Sequence, residues 1–284
     1  MEPADPRTQP PPAPCQNIRL LRVNDGRALP CDDRVATEAA LDIVVAGAAP
    51  VITMRTPGAD RELAAGLLLS EGVIHTHDDV DTLRQLSANF VAIRLRTMDA
   101  HKRALLERSS LTSSACGVCG KDKLNLEPMR ALPPLPPGPQ VPVKTLYGLP
   151  DKLRATQAVF HSTGGLHAAA LFTATGDLLA VREDIGRHNA LDKLNGWALL
   201  NDRLPLHDHI VVLSGRASFE LLQKCIMARI PIVCAISAPS SYAVRLALEF
   251  GVTLVGFLRG RSCNIYSAAE RIRCETADAA RPDV

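Results

Sequence analysis

Between residues 209 and 258, three short apolar runs alternate with two amphipathic ones, a pattern that few folds satisfy. HIVVLSG, IPIVCAIS and VTLVGFL are short, rich in β-branched residues and apolar on consecutive positions, as strands buried on both faces read. ASFELLQKCIMAR and SSYAVRLALEFG have helical periodicity, and the second closes on a glycine suited to a C-terminal cap. Upstream, HAAALFTATGDLLAVRED reads as two strands about a tight turn at Thr175-Gly176-Asp177, and GRHNALDKLNGWALL as a helix. Strands alternating with helices predict an α/β unit, a parallel or mixed sheet covered on its faces.

The first half is patterned differently. LDIVVAG (Leu41 to Gly47) and VITMRT (Val51 to Thr56) read as strands joined by a short turn, and NFVAIRLR as a half-buried strand. GADRELAAGLLLSEGVI reads as a helix with Asp60 as its N-cap. In LPPLPPGPQVP, Leu132 to Pro142, six prolines and a glycine rule out regular helix and predict an extended spacer. With 284 residues, one large domain or two modest ones fit a prior of about 150 residues each. The expected division is a disordered proline-rich tail at 1–15, a smaller α+β domain at 16–131, a linker at 132–142 and an α/β domain at 143–284. No internal repeat is visible.

Composition narrows the function. An apolar content of 46% and a charged content of 22% are those of a globular protein. A net charge of +2 argues against wholesale nucleic-acid binding and leaves room for a local phosphate site. MEPADPRTQPPPAPC has no apolar core of a secretory signal, and no run approaches the ~20 apolar residues of a membrane span, so a cytoplasmic protein off the membrane is expected. Of eight cysteines only Cys116 and Cys119 form a tight pair. Cys15, Cys31, Cys225, Cys234, Cys263 and Cys274 are scattered, unlike a disulfide framework, and Cys225 and Cys234 are expected simply to pack.

LSGRASFE and ISAPSSYA each run from a buried strand into a helix. Such turns present free backbone N–H groups to an anion, and ligands of open α/β sheets sit at the carboxyl ends of strands. Ser214, Gly215, Arg216 and Ser237 are therefore candidates. FLRGRSCNIYS adds Arg259 and Arg261 about Gly260, with Phe257 or Tyr266 available to stack on a base. Together these point to a phosphate-bearing ligand. REDIGRHNALDK crowds Glu183, Asp184, Arg187 and His188 at a helix start. In HSTGGLHAAA, Gly164-Gly165 allows close backbone approach, and His161 and His167 could be ligands, orienters or structural groups.

SSACGVCGK, Ser113 to Lys121, admits three uses. A structural zinc needs four ligands; there is no second C-x-x-C, and His75, His77, His101 and His161 have no finger-like spacing, so no permanent metal is expected. A thioredoxin-like pair would open a helix directly after a strand, whereas this pair sits in a Ser- and Gly-rich stretch. A sulfur carrier is the third reading. Gly117 and Gly120 would let the loop, about 109–123, swing, and Lys121 and Lys123 favour thiolate. A thiolate can accept sulfur as a persulfide, and a second thiol can help release it.

SSACGVCGK, STGGLHAAA, REDIGRHNALDK, LSGRASFELLQK, ISAPSS and FLRGRSCNIYS, in this order, resemble the formate dehydrogenase accessory sulfurtransferase family (FdhD), from about residue 38 to 272. The resemblance implies a persulfide-dependent sulfurtransferase. It would take sulfur from a cysteine desulfurase and pass it to bis(molybdopterin guanine dinucleotide), the molybdenum cofactor, for the formate dehydrogenase catalytic subunit. It further implies Cys116 as the persulfide cysteine and Cys119 as its partner. Phe257, Leu258, Arg259, Gly260, Arg261 and Ser262 match the cofactor-binding segment, with Ser214, Gly215, Arg216 and Ser237 as further nucleotide contacts. The implied fold is a cytidine-deaminase-like core with an added smaller domain, in a homodimer whose second domain holds the guanine nucleotide arms. Cys263 departs from the bulky apolar residue common in the family. Deamination is disfavoured, because it needs His-x-Glu followed by Pro-Cys-x-x-Cys; His167 precedes Ala168 and Ala169, and the C-x-x-C lies upstream. A non-catalytic cofactor chaperone with a structural or redox C-x-x-C stays as the alternative.

Overall fold

The computed structural model describes residues 12–109 and 126–275. The chain opens with a hairpin, β1 (Cys15–Asn24) and β2 (Arg27–Ala36), turned by Asp25 and Gly26 at φ 49° and 77°. Two positive φ values in a two-residue loop are the type I′ geometry that Asp-Gly favours. A four-stranded sheet follows, built from β3 (Ala39–Val45), β4 (Val51–Arg55), β5 (Val80–Ser87) and β6 (Phe90–Leu95) in the order β4-β3-β6-β5. Helix α1 (Asp60–Ser70) joins β4 to β5, and α2 (Ala100–Ser109) follows β6.

Asp60 is the first residue of α1 and not its N-cap. Ala59 takes the cap position, in the left-handed conformation. The Asp60 carboxylate instead accepts from Arg55 Nε and Nη2, each at 2.9 Å, with both side chains almost fully buried. An acidic residue in a helix's first turn also suits the macrodipole, so the sequence signal was right about the location and wrong about the bond.

After α3 (Glu127–Arg130), residues 133–140 run without regular structure into the short strand β7 (Val141–Pro142), as the prolines require. Three short helices follow, α4 (Val143–Tyr147), α5 (Leu149–Thr156) and α6 (Ala158–Thr163). Then come β8 (His167–Thr173), β9 (Leu178–Asp184), α7 (Arg187–Leu200), β10 (His209–Leu213), α8 (Phe219–Met227), β11 (Ile232–Ala235), α9 (Ser241–Glu249), β12 (Thr253–Arg259), β13 (Ser262–Ser267) and β14 (Ile272–Arg273). Six of these strands form a mixed sheet, β13-β12-β11-β10-β8-β9, in which β10, β11 and β12 are parallel and the others antiparallel. The architecture is mixed α/β.

The period of two along each strand divides the six-stranded sheet between two cores. Ala169, Leu171, Val211, Leu213, Val233, Ala235 and Leu254 face the main core with α7, α8 and α9. Ala168, Ala170, Phe172, Ile210, Val212, Ile232, Cys234 and Val255 face a second core closed by Leu146, Leu149 and Leu153 of α4 and α5. Both sides are covered, which is why these strands lack polar alternation. Cys225 and Cys234 are fully buried, and burial pushes their thiols far up in pKa, so they pack and do not react.

The main core continues through α1 into the four-stranded sheet, where Leu41, Ile43 and Val45 join it. Helices α1 and α7 cross at backbone contact: a Cβ on Gly66 would stand 1.8 Å from Asp192 O, and one on Gly196 1.8 Å from Glu62 O. Polar ties flank the crossing. Lys224 Nζ lies 2.7 Å from Asp192 Oδ2, and Ser70 Oγ donates to Asp192 Oδ1 at 2.7 Å. Among the described residues no helix is long and apolar enough to cross a membrane.

Candidate functional site

The turn after β10, the turn after β11 and the end of β12 meet at the carboxyl end of the parallel strands. Backbone bonds lace them beyond the regular sheet: Ser237 N donates to Gly215 O at 3.2 Å, Phe257 N to Ser237 O at 3.2 Å, and Ala217 pairs with Pro239 in a parallel bridge. Gly256 is needed here, since a Cβ would come within 2.8 Å of Pro239 Cδ. Ser214, Gly215, Arg216, Ser237 and the Phe257–Gly260 stretch, scattered over about fifty positions, thus share one edge of the molecule.

Beside that edge lies a cleft of about 520 Å³, within the size range of ligand pockets. Ser214, Ile236, Leu258, Arg259 and Gly260 line one wall; Asp151, Arg154, Gln157, Phe160 and the Gly164–His167 stretch line the other. Arg259 is exposed, and its Nε donates to Ile236 O at 2.9 Å, which aims the guanidinium along the rim. The Arg154 guanidinium stands 5.4 Å over the Phe160 ring, a cation–π pair at the opposite wall. Gly164 ends α6 at φ 67°, the left-handed conformation that favours glycine. Two arginine donors, an aromatic ring, close backbone and one carboxylate acceptor form a lining suited to a nucleoside phosphate.

The other sequence candidates divide. Leu258 is fully buried in the second core and offers only backbone. Phe257, 41% exposed at φ 52°, presents its ring to solvent, while Tyr266 packs against the main core. Arg261 and Cys263 turn away from the cleft; they line a second cleft, of about 510 Å³, with Lys144, Arg273 and Cys274. Ser262, which begins β13, pairs with Arg259. Cys263 packs partly on the second core, which accommodates its departure from a bulkier residue. The Ser214 hydroxyl accepts from Ala168 N at 2.8 Å, extending the β8–β10 ladder. Ser240 caps α9 through Ala243 N.

REDIGRHNALDK proves largely to be a stitching motif. Glu183 accepts the Val159 and Phe160 amides at 3.1 and 2.8 Å, fixing the start of α6 and so the cleft's aromatic wall. Asp184 meets Lys193 Nζ at 2.7 Å and accepts from Thr56 N, while Asn189 donates to Met54 O; these bonds tie the two sheets together. His161 Nε2 donates to Arg154 O at 2.7 Å and so positions the cleft's wall. His167 lines the cleft. Burial first, then the neighbouring Arg187, His188 and Arg216 side chains, hold its pKa below the ordinary histidine range, which favours the neutral ring. Among the described residues no three His, Cys, Asp or Glu side chains converge as metal ligands. Cys116 and Cys119 lie outside the described residues.

Sequence reasoning missed Asp151, Arg154 and Phe160. They sit on short helices within DKLRATQAVF, where neither periodicity nor a motif sets them apart.

A mixed α/β protein with a phosphate-suited cleft at the carboxyl end of its parallel strands has a defined set of relatives. Residues 36–273 match the model of the FdhD/NarQ family. A protein of Mycolicibacterium paratuberculosis named sulfur carrier protein FdhD is 48% identical, covering 89% of this chain and 97% of that one. One of the same name from Saccharolobus solfataricus is 43% identical, covering 89% and 96%. A crystal structure of a formate dehydrogenase accessory protein from Desulfotalea psychrophila superposes with a TM-score of 0.74 over 91% of this chain and 99% of that one, at 22% identity. The chain belongs to the FdhD/NarQ family.

Proposed function

We propose that this protein is a sulfur carrier serving formate dehydrogenase. Its Cys116 thiolate attacks the persulfide of a cysteine desulfurase, takes the outer sulfur and frees the desulfurase thiolate. Attack by Cys119 on the inner sulfur of the Cys116 persulfide then gives a Cys116–Cys119 disulfide and releases hydrosulfide. The acceptor is bis(molybdopterin guanine dinucleotide), which enters as substrate. The cleft carries this reading: Arg154 and Arg259 face phosphate, Phe160 stacks on a base, Asp151 accepts from the base's N–H edge, and the Gly164-Gly165 backbone lets the ligand approach closely. Membership of a family whose curated relatives are named sulfur carriers supports the cargo.

Within the same proposal, the 143–284 part has a cytidine-deaminase-like core and holds the nucleotide, the 16–131 part carries the C-x-x-C loop, and the protein works as a homodimer in the cytoplasm. His167, neutral at the cleft wall, offers a hydrogen bond without adding charge. Cys116→Ala tests the carrier role against a cofactor chaperone: nucleotide binding stays at wild-type affinity and the formate dehydrogenase made beside it is inactive. An active dehydrogenase with the Cys116→Ala protein would leave the chaperone reading in its place.

A further inference from the structure

Among the described residues, six buried side-chain polar atoms have no hydrogen-bond partner, and four of them lie at the N-termini of α7 and α8: Arg187 Nε, His188 Nε2, Ser218 Oγ and Glu220 Oε1. Native structures rarely bury such atoms singly, and four together call for a ligand or water. His188 and Glu220 are each 8% exposed. His188 Nε2 stands 2.9 Å from Glu220 Oε2, an ion-pair distance without hydrogen-bond alignment, so both groups keep unspent capacity.

The helix ends have the same property. Ser218 is the N-cap of α8, yet its hydroxyl accepts no amide of the first turn, unlike Ser240 one loop away on α9. Gly186, the N-cap of α7, has no side chain to offer. Two uncapped helix N-termini, Arg187 and Arg216 put positive potential here. The nearby Asp184 is neutralised by Lys193 at 2.7 Å, which leaves Glu220 as the facing negative charge. Arg187 N–H and Ser218 O–H need an acceptor, while Glu220 Oε1 needs a donor. Water would satisfy the hydrogen bonds but not the charge. A small anion that still carries one hydrogen satisfies both.

We infer that Arg187, His188, Ser218 and Glu220 form a hydrosulfide site at the paired N-termini of α7 and α8, behind the His167 wall of the cleft. Only the choice of sulfur rests on the carrier reading. His167 separates the two sites: its ring lines the cleft and stands where a Cβ on Gly215 would be 3.4 Å from Nδ1. The site would hold the sulfur that a persulfide releases, protonated and out of bulk solvent, without a covalent bond.

The test is histidine NMR on the full chain labelled at its imidazoles, kept reduced and oxygen-free, and titrated with sodium hydrosulfide or with sodium chloride at matched ionic strength. Resonances absent from His188→Gln identify His188. The expected result is a saturable His188 shift with hydrosulfide only, weakened about tenfold or more by Ser218→Ala. Ser218→Ala removes one hydroxyl, and the melting curve of each variant shows that it is folded. An unchanged His188 signal means the site holds water only, and an equal response to chloride means a general ionic effect; either overturns the assignment. Sulfur loading of Cys116, read by mass on the same samples, stays intact if only this site fails.

Discussion

Gly196→Ala puts one methyl group where α7 meets α1. Its Cβ would sit 1.8 Å from Glu62 O, 2.7 Å from Glu62 C and 2.8 Å from Gly66 N, all backbone atoms that no rotamer change can move. Ordinary contact begins near 3.4 Å, so the helices must part by 3.4 − 1.8, or 1.6 Å, along that line. Leu63, Leu68, Leu191 and Leu194, all fully buried around the crossing, then lose part of their packing. Overpacking costs about 1–3 kcal/mol and a backbone clash lies at or beyond the top of that range, while alanine's better helix propensity returns about 1 kcal/mol. A net loss of about 2–3 kcal/mol lowers the melting temperature of a chain this size by roughly 5–10 °C. Gly148→Ala is the control, because a Cβ there meets nothing within 4 Å and φ is −84°. Thermal denaturation of the two variants side by side checks the expectation. A Gly196→Ala protein melting with wild type would refute the close crossing that holds α7, and with it Arg187 and His188, against the cleft.

Arg154→Ala or Phe160→Ala weakens guanosine diphosphate binding by about tenfold or more in calorimetry, from the loss of a charged contact or a stacked ring. Asp151→Asn turns preference from guanosine toward xanthosine diphosphate, since an amide can donate to the second carbonyl of xanthine; an unchanged preference removes Asp151 from base recognition. Lys193→Met leaves Asp184 buried without its 2.7 Å partner and destabilises the fold by about 3–5 kcal/mol in urea titration. The folded pKa of His167 lies below its unfolded value, so the unfolded chain binds the extra proton first as pH falls below about 6.5. Stability therefore declines from pH 7.5 toward 5.5, and His167→Gln flattens that decline; identical pH profiles would show that the ring is not held neutral.

The second half was legible because its strands are buried on both faces and α9 shows one buried stripe, while α7 and α8 are buried over most of their surface. Apolar runs such as IVVL and IVCA have no other low-energy use at that length. The meeting of Ser214, Ser237 and Phe257 followed from the same topology, because consecutive parallel strands bring their carboxyl ends together. The hairpin of β1 and β2 was overlooked, although Asp25-Gly26 marked its turn, because Ile18, Leu21, Val23 and Leu29 are exposed and leave no inside–outside alternation. Asp60 was misread because an N-cap and a first-turn acid look alike until the partner, Arg55, is seen. Arg154 and Phe160 could not be picked out, because their meeting depends on the break at Gln157 between the two short helices α5 and α6. Arg259 and Arg261, two residues apart, line different clefts because the chain turns at Gly260, φ 54°, between β12 and β13. One continuous strand would have put both on the same face, and the motif does not reveal the turn.

Intact-protein mass spectrometry after incubation with a cysteine desulfurase and cysteine decides whether this chain carries sulfur at Cys116. Wild type, Cys116→Ala and Cys119→Ala are compared, each with and without reductant. The expected result is a gain of one sulfur atom in wild type, removed by reductant and absent from Cys116→Ala. A wild type that gains no sulfur beside a desulfurase shown to be active, or a Cys116→Ala protein that loads as well as wild type, would contradict the carrier mechanism at that residue.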